Sequence, residues 1–150
     1  MKLPKFLFLI INPMMRILLR SPLHLLMSKS LMLISFKGRK SGRVFTTPVR
    51  YIRQQDTIQC FTAKSNQWWR NVAADKEIVI RVEGKDYACR AEVVTDDHER
   101  VRQAIEFLLD SFPADAPYYE IRMKNGQPDK NELEQASRLT ALVETTLTVK

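Results

Sequence analysis

FKGRKSGRVFTTP, residues 36–48, is the stretch around which the rest of the chain can be arranged. It contains a short turn bracketed by Gly38 and Gly42, with an apolar strand-like run before it and an extended run after it. Glycine permits a backbone φ above zero and close approach of a ligand, and successive N–H groups in such a turn can cradle an anion. Arg39 and Lys40 add a planar fork and a point charge, both suited to phosphate. The pattern predicts either a phosphate-binding hairpin turn or an ordinary solvated one.

Residues 31–94 are predicted to be mainly β, because short apolar or alternating runs are separated by turn residues. Residues 83–86, Glu-Gly-Lys-Asp, are a second hairpin signal. Pro48 inside a strand indicates an edge, a bulge or a strand start, since proline cannot donate a hydrogen bond to a sheet. Six or so short strands with this spacing predict a small barrel with flanking helices, an α+β fold in one domain spanning 1–150. The predicted strands are 31–36, 44–53, 57–62, 77–82, 87–94 and 141–149.

Charge and cysteine content restrict the partners and the compartment. The 150 residues carry a net charge of +7, which favours a phosphorylated cofactor, nucleic acid or an acidic membrane surface as partner. We set nucleic acid aside because the aromatic residues do not interleave with the basic ones as base-stacking surfaces require. Cys60 and Cys89 lie in separate apolar runs, which predicts no disulfide framework and a reduced, cytoplasmic location. His24 and His98 stand alone, so no metal is expected.

The first 30 residues are the most apolar part of the chain and are predicted to be helical. The uncharged run 6–15 is interrupted by Pro13 and followed by Arg16, so it is shorter than the roughly 20 residues that a membrane span needs. It lacks a small-residue cleavage site, and the apolar pattern resumes at once, which argues against a signal peptide. Two interpretations stay open: helices that cover the end of the sheet, or an interfacial helix in peripheral contact with an anionic membrane.

A short helix is predicted over residues 67–74, capped by Ser65 or Asn66. Trp68 and Trp69 are adjacent and cannot share one helix face. Either one of them enters the core while the other covers a pocket or an interface, or both pack against the sheet.

The C-terminal part, 95–150, is predicted to contain a helix, a loop and the closing strand. The acidic cap cluster at 95–97 starts an amphipathic helix that ends before Pro113. Residues 112–119, with two prolines and two tyrosines, are predicted to be a loop, and 129–138 a short polar helix.

The sequence contains no recognisable catalytic set. It has no H-E-x-x-H, no paired-cysteine motif, no Walker A loop and no G-x-G-x-x-G opening a helix. An anion site without an acid–base set favours a cofactor that carries the reactive chemistry.

Two motifs point to a family. GRKSGR at 38–43 is followed by TTPV at 46–49, and WWRNV stands at 68–72. Together they resemble the signature of the deazaflavin-dependent nitroreductase (quinone reductase) family, in which a W-[YW]-x-N-L helix start also leads into a strand. Residues 12–13 and 20–24 are similar to the N-termini of members, and the likeness covers most of residues 12–94.

This resemblance implies a split β-barrel of the FMN-binding or pyridoxamine-phosphate-oxidase-like type. It implies that the chain binds coenzyme F420, a deazaflavin with a phosphate and an oligoglutamate tail, with FMN or FAD as the alternative cofactor. The implied activity is hydride transfer between the reduced cofactor and a quinone-like, nitro or other conjugated acceptor. A non-enzymatic flavin-, deazaflavin- or haem-binding barrel is the alternative function. The resemblance names no catalytic residue here and is compatible with a homodimer.

By position, the resemblance assigns the basic turn to the phosphate and tail, two strand segments to the borders of the ring, and the tryptophan helix to the closing of the cleft. The residues implied for cofactor binding are Arg39, Lys40, Ser41, Gly42, Arg43, Thr47, Pro48, Val49, Thr62, Ala63, Lys64, Trp68 and Asn71. The candidates for the acceptor side are Tyr118 and Tyr119 in the loop and Arg50, which stands where family members often carry a tyrosine.

Overall fold

The computed structural model describes residues 31–147, and the structural statements below concern that part of the chain. Its elements are β1 (Leu31–Lys37), β2 (Val44–Gln54), β3 (Thr57–Ala63), α1 (Trp68–Ala74), β4 (Glu77–Val82), β5 (Lys85–Val94), α2 (His98–Ser111), a 3-10 helix (Pro113–Tyr119), β6 (Met123–Lys124), β7 (Gln127–Pro128), α3 (Lys130–Leu139) and β8 (Thr140–Thr146). Six antiparallel strands close into a barrel in the order β1-β2-β3-β8-β5-β4, and β6 and β7 form a separate hairpin. The predicted small barrel with flanking helices is confirmed. The predicted N-terminal helices, and residues 148 and 149 of the predicted last strand, lie outside the described residues.

The basic turn joins β1 to β2, whose register pairs Lys37 with Val44. Gly42 has φ +71°, the left-handed conformation that the sequence predicts for it. Gly38 does not adopt a positive φ, so that prediction is wrong there, and a side chain at this position would require the Phe45 ring to shift. A Cβ on Gly38 would lie 2.7 Å from a ring carbon of Phe45 and 3.0 Å from the Ser41 hydroxyl. The Gly38 N–H donates to the Arg43 carbonyl at 2.8 Å and closes the turn.

Two apolar cores flank the barrel wall, because successive strand residues point to opposite faces. Tyr51, Cys60 and Val143 lie in the barrel interior. Their neighbours Ile52 and Leu142 lie in the second core, on the other side of the wall. The helices supply much of that second core, which includes Val101, Ile105, Leu108 and Leu109 of α2 and Leu133 and Ala136 of α3. Residues from β1, β4 and α1 also contribute to the first core.

The barrel wall splits between β2 and β3, and Pro48 lies at the split. β2 pairs with β1 over residues 31–37 and 44–50, but with β3 only over 51–54 and 57–60. Pro48 is therefore paired on one side alone, opposite Leu33 of β1. Since proline has no N–H, this one-sided position is the kind in which a strand tolerates it, and of the three predicted positions the edge is the one observed. The unpaired edge of β2 faces a cavity described below.

Two local predictions are corrected by the structure. α1 begins at Trp68 with Gln67 at the N-cap and has no side-chain cap, so the predicted caps Ser65 and Asn66 are wrong. The Asn66 amide instead donates to the Thr62 hydroxyl at 2.9 Å. The predicted loop at residues 112–119 is mostly a 3-10 helix, because a proline opens it and a left-handed Glu120 ends it.

The two tryptophans differ from the prediction in how they divide their roles. Trp68 packs against the barrel core and also lines the cavity, so one side chain serves both purposes. The Trp69 indole N–H donates to the Lys64 carbonyl at 3.1 Å, and the Arg70 guanidinium lies 4.8 Å from its ring centre.

None of the helices in residues 31–147 combines the length and the apolarity needed to cross a membrane.

Candidate functional site

A cavity of about 270 Å³ opens at the split, between the free edge of β2, the end of β3 and the 3-10 helix. It contains apolar, aromatic and polar groups, a composition typical of small-molecule sites. Among the described residues, its lining consists of Leu31, Thr47, Pro48, Val49, Arg50, Phe61, Thr62, Asn66, Trp68, Asp115, Tyr118 and Tyr119.

Stacked aromatic rings hold the wall formed by Trp68. Its ring lies 5.6 Å from that of Phe36, at an interplanar angle of 26°, and Phe36 in turn lies 6.1 Å from Phe45 at 28°. Phe36 is buried in the barrel core, so this stack anchors the indole from behind. A fixed, flat aromatic surface of this kind can bind a planar ring system with little loss of side-chain freedom.

A buried hydroxyl lacks a partner in this cavity. Thr47 is only 4% exposed, and its Oγ1 has no hydrogen-bond partner in the described part of the chain. Leaving such a group unpaired costs about 1–3 kcal/mol, which is why most buried polar groups in proteins have a partner. The neighbouring Thr46 hydroxyl, by contrast, is paired with Ser35 at 2.8 Å.

Another part of the lining carries a two-point ion pair. Arg50 on β2 donates from Nε to Asp115 Oδ2 at 2.7 Å and from Nη2 to Oδ1 at 3.1 Å. The Arg50 guanidinium also lies 4.4 Å from the ring centre of Phe112. This contact ties the 3-10 helix to the free edge of β2 and keeps the cavity wall in place.

Two adjacent tyrosines form the third side. The Tyr119 ring meets Phe61 edge-on at 6.3 Å and Tyr118 at 6.2 Å. Burial, reinforced by the Asp115 carboxylate, raises the pKa of Tyr119 well above its usual value. The Tyr119 hydroxyl is therefore neutral and protonated at physiological pH.

The basic turn is joined to the cavity through the first turn of α1. Asn71 Oδ1 accepts two hydrogen bonds from Arg39, one from its backbone N–H at 3.0 Å and one from Nη1 at 2.8 Å. The Ser41 hydroxyl accepts from the Arg43 N–H at 3.2 Å. Trp68 and Asn71 are three residues apart on α1, so one element lines the cavity and holds the turn.

Most of the turn's N–H groups are already used within the protein. Those of Gly38, Arg39, Gly42 and Arg43 donate to protein acceptors, while those of Lys40 and Ser41 have no acceptor among residues 31–147. The cationic side chains of Lys40 and Arg43 are exposed. The turn can therefore offer an anion two backbone donors and two side-chain cations without rearrangement.

The cavity brings together eight of the residues predicted from the sequence. They are Thr47, Pro48, Val49, Arg50, Thr62, Trp68, Tyr118 and Tyr119. Arg39 to Arg43 form the adjoining turn, linked through Asn71. Ala63 and Lys64 lie just beyond the lining at the end of β3, where the Lys64 N–H donates to the Leu139 carbonyl.

Sequence reasoning missed four lining residues. Phe61 and Asn66 border predicted site segments and could have been found by extending those segments by one or two residues, whereas Leu31 lies eight residues before the nearest predicted site residue. Asp115 carried no such signal, because its role depends on a partner 65 residues away.

Comparison with known proteins identifies the family. Residues 21–120, more than half of the chain, match the model of the family described as F420H(2)-dependent quinone reductase. A search of curated proteins finds no match to this sequence.

Several solved structures share the fold at low sequence identity. Atu2129 from Agrobacterium tumefaciens str. C58 is 16% identical, with a TM-score of 0.58 over 89% of this chain and 57% of that one. This chain thus spans little more than half the length of the Agrobacterium protein. An F420-H2 dependent reductase, FDR-A, is 15% identical, with a TM-score of 0.52 over 78% of this chain and 94% of that one. A FAD-binding protein from Mesorhizobium loti is 11% identical, with a TM-score of 0.52 over 86% and 91%.

These likenesses confirm the predicted fold class, a split β-barrel of the FMN-binding and pyridoxamine-phosphate-oxidase-like type. Fold similarity at this level of identity does not identify the family, but the match to the family model does. The chain belongs to the F420H(2)-dependent quinone reductase family.

Proposed function

We propose that this protein is a deazaflavin-dependent oxidoreductase that binds coenzyme F420 and passes a hydride from the reduced form to a quinone-like or other conjugated acceptor. The observation that carries the proposal is the cavity at the split, which combines an anchored indole face with the unpaired, buried Thr47 hydroxyl. The family match and the name of the similar structure FDR-A support the choice of a deazaflavin over FMN or FAD.

The residues present fit such a cofactor at both of its ends. The ring would lie against Trp68 and the β2 edge, and the Thr47 hydroxyl would bind one of its polar atoms. The phosphate and tail would lie along the basic turn, where Lys40, Arg43 and two N–H groups remain available. The dinucleotide and P-loop motifs are absent from the sequence, so the turn is the anion site that the sequence and the described fold offer.

The bound cofactor would supply the hydride chemistry, and the chain's own residues would bind, orient and exclude water. The stack behind Trp68 holds the ring-binding face rigid, and the Arg50–Asp115 contact fixes the 3-10 helix over the cavity. The Tyr119 hydroxyl, whose pKa is raised mainly by burial, stays protonated and can donate to an acceptor oxygen. The cavity would orient two planar molecules, the cofactor ring and the acceptor, and this hydride transfer needs no acid–base pair of the kind that hydrolases use.

Cofactor titration tests this proposal. The purified protein should bind F420, FMN or FAD with micromolar affinity or better, about −8 kcal/mol, and F420 most tightly. Thr47→Val should weaken ring binding about fivefold to tenfold, because one buried hydrogen bond is lost. Thr46→Val is the matched control, since that hydroxyl is already paired with Ser35. Failure to bind any of the three cofactors would refute the proposal.

A non-enzymatic cofactor carrier on the same barrel is the alternative, and turnover separates the two. Protein loaded with the reduced cofactor should oxidise it at an increased rate when a quinone is added. Tight binding with no acceleration by any quinone or nitro compound would favour the carrier.

We also propose that the chain acts as a homodimer in the cytoplasm and that its first 30 residues mediate any peripheral membrane contact. Light scattering on the eluting protein, and sedimentation with anionic vesicles, would test these points.

A further inference from the structure

The part of the cavity lining where β2 meets the 3-10 helix carries one cation and one anion. Among the described lining residues, Arg50 is the sole cationic side chain and Asp115 the sole carboxylate. They meet through two hydrogen bonds of 2.7 and 3.1 Å, in the parallel two-point geometry that an arginine fork and a carboxylate favour. The formal charge of this wall is therefore zero.

The pair is also partly withdrawn from water, which strengthens it relative to a fully exposed one. The Arg50 side chain is 35% exposed and that of Asp115 20%. Phe112 covers the guanidinium face at 4.4 Å. An anionic ligand entering the cavity must displace a carboxylate held by the protein itself, whereas an uncharged ligand leaves the pair intact.

The rest of the lining favours an uncharged, flat molecule. Phe61, Trp68, Tyr118 and Tyr119 provide aromatic surface, and Leu31 and Val49 provide aliphatic surface. The cations that would attract an anion lie instead on the basic turn, which is outside the cavity lining and is joined to α1 through Asn71. The two cationic features of the described residues are thus separate: the basic turn is available to an anion, and Arg50 is neutralised by Asp115.

We propose that the Arg50–Asp115 pair determines the charge class of the acceptor, admitting uncharged aromatic acceptors and excluding anionic ones. The inference rests on the proposed function and specifies its acceptor half. Asp115 acts through Arg50. While the Asp115 carboxylate is in place, it neutralises the Arg50 guanidinium. Without the carboxylate, the guanidinium can bind an anionic ligand.

Two naphthoquinones of nearly the same shape provide the test. 2-Methyl-1,4-naphthoquinone is uncharged, and 2-hydroxy-1,4-naphthoquinone is an anion at neutral pH. Their binding is measured by equilibrium dialysis in the presence of saturating oxidised F420, which occupies the proposed ring site, against the wild-type chain, Asp115→Asn, and the double variant Asp115→Asn/Arg50→Gln. Asp110→Asn is the matched control, because Asp110 is an exposed carboxylate on α2 outside the cavity lining. Thermal unfolding confirms that each variant is folded.

The wild-type chain should prefer the uncharged quinone. Asp115→Asn should shift the ratio of the two affinities about tenfold towards the anion, the order of one charge-assisted hydrogen bond. The double variant should lose that shift, and Asp110→Asn should match the wild type. If the role of Asp115 were merely structural, its substitution would weaken the binding of both quinones alike and leave the ratio of their affinities unchanged.

Three outcomes would overturn the inference: a wild-type preference for the anion, an unchanged ratio in Asp115→Asn, or a shift that survives the loss of Arg50. Binding of neither quinone to the wild type would overturn the acceptor site itself. F420 binding, measured on the same preparations, distinguishes that result from failure of the proposed cofactor function.

Discussion

Replacing Asn71 with alanine tests whether the basic turn is held in place by α1. The change removes the Oδ1 atom that accepts from the Arg39 backbone N–H at 3.0 Å and from Nη1 at 2.8 Å. A neutral hydrogen bond contributes about 0.5–1.5 kcal/mol and a charge-assisted one about 1.5–3 kcal/mol. Both bonds are exposed, so the sum is discounted to roughly 1–2 kcal/mol. If F420 binding requires the turn in this position, affinity should fall by at most about 5- to 30-fold.

A double-mutant cycle shows whether Arg39 acts through Asn71 or contacts the cofactor itself. Arg39→Ala keeps the backbone hydrogen bond and loses only the side-chain one, so its effect should be smaller than that of Asn71→Ala. In the double variant the losses of F420 affinity should be non-additive, because both substitutions remove the hydrogen bond between the Arg39 and Asn71 side chains. The assay is fluorescence titration of F420 at low and at physiological salt, with Asn131→Ala on α3 as the control.

Additive losses of F420 affinity, together with a reduced salt dependence of binding in Arg39→Ala, would contradict a role for Arg39 in holding the turn. Such results would mean that Arg39 neutralises cofactor charge directly.

The remaining predictions concern charge, packing and the buried thiol. Lys40→Ala should weaken F420 binding and make it less sensitive to salt in calorimetric titrations, whereas Lys130→Ala on α3 should change neither. Leu108→Ala should lower the free energy of unfolding by about 2–5 kcal/mol in urea, because Leu108 is fully buried, while Phe107→Ala, at a position 36% exposed, should cost far less. Burial raises the pKa of Cys60 to about 12, so the unfolded state loses the thiol proton at a lower pH than the folded state does. The free energy of unfolding should therefore fall by about 1.4 kcal/mol per pH unit as pH rises from about 9 towards 12. Below pH 9 this contribution is fully present, and Cys60→Ala should flatten the decline; an equally steep decline in that variant would contradict the raised pKa.

Local features of the fold were predictable because they depend on neighbours in the sequence. The alternation of buried and exposed residues in β4, the glycine at 42 and the acidic cap at Asp97, whose side chain accepts from the Arg100 N–H at 3.1 Å, are all encoded within a few residues. Gly38 shows the limit of such reasoning. The sequence indicates a special glycine there, but the reason is the approach of the Phe45 ring, which only the folded hairpin brings about.

Neighbouring residues are enough to predict that a basic turn joins two strands, that Pro48 lies at an edge, a bulge or a strand start, and that a tryptophan helix follows the third strand. The family resemblance assigns to one cleft most of the residues that line the cavity. The contacts that those residues make depend on the tertiary structure. Arg39 is held by an acceptor 32 residues away and Arg50 by one 65 residues away. One cationic turn is left available to an anion and one arginine is neutralised, because charge at a site depends on which distant side chains the closed barrel brings within hydrogen-bonding distance.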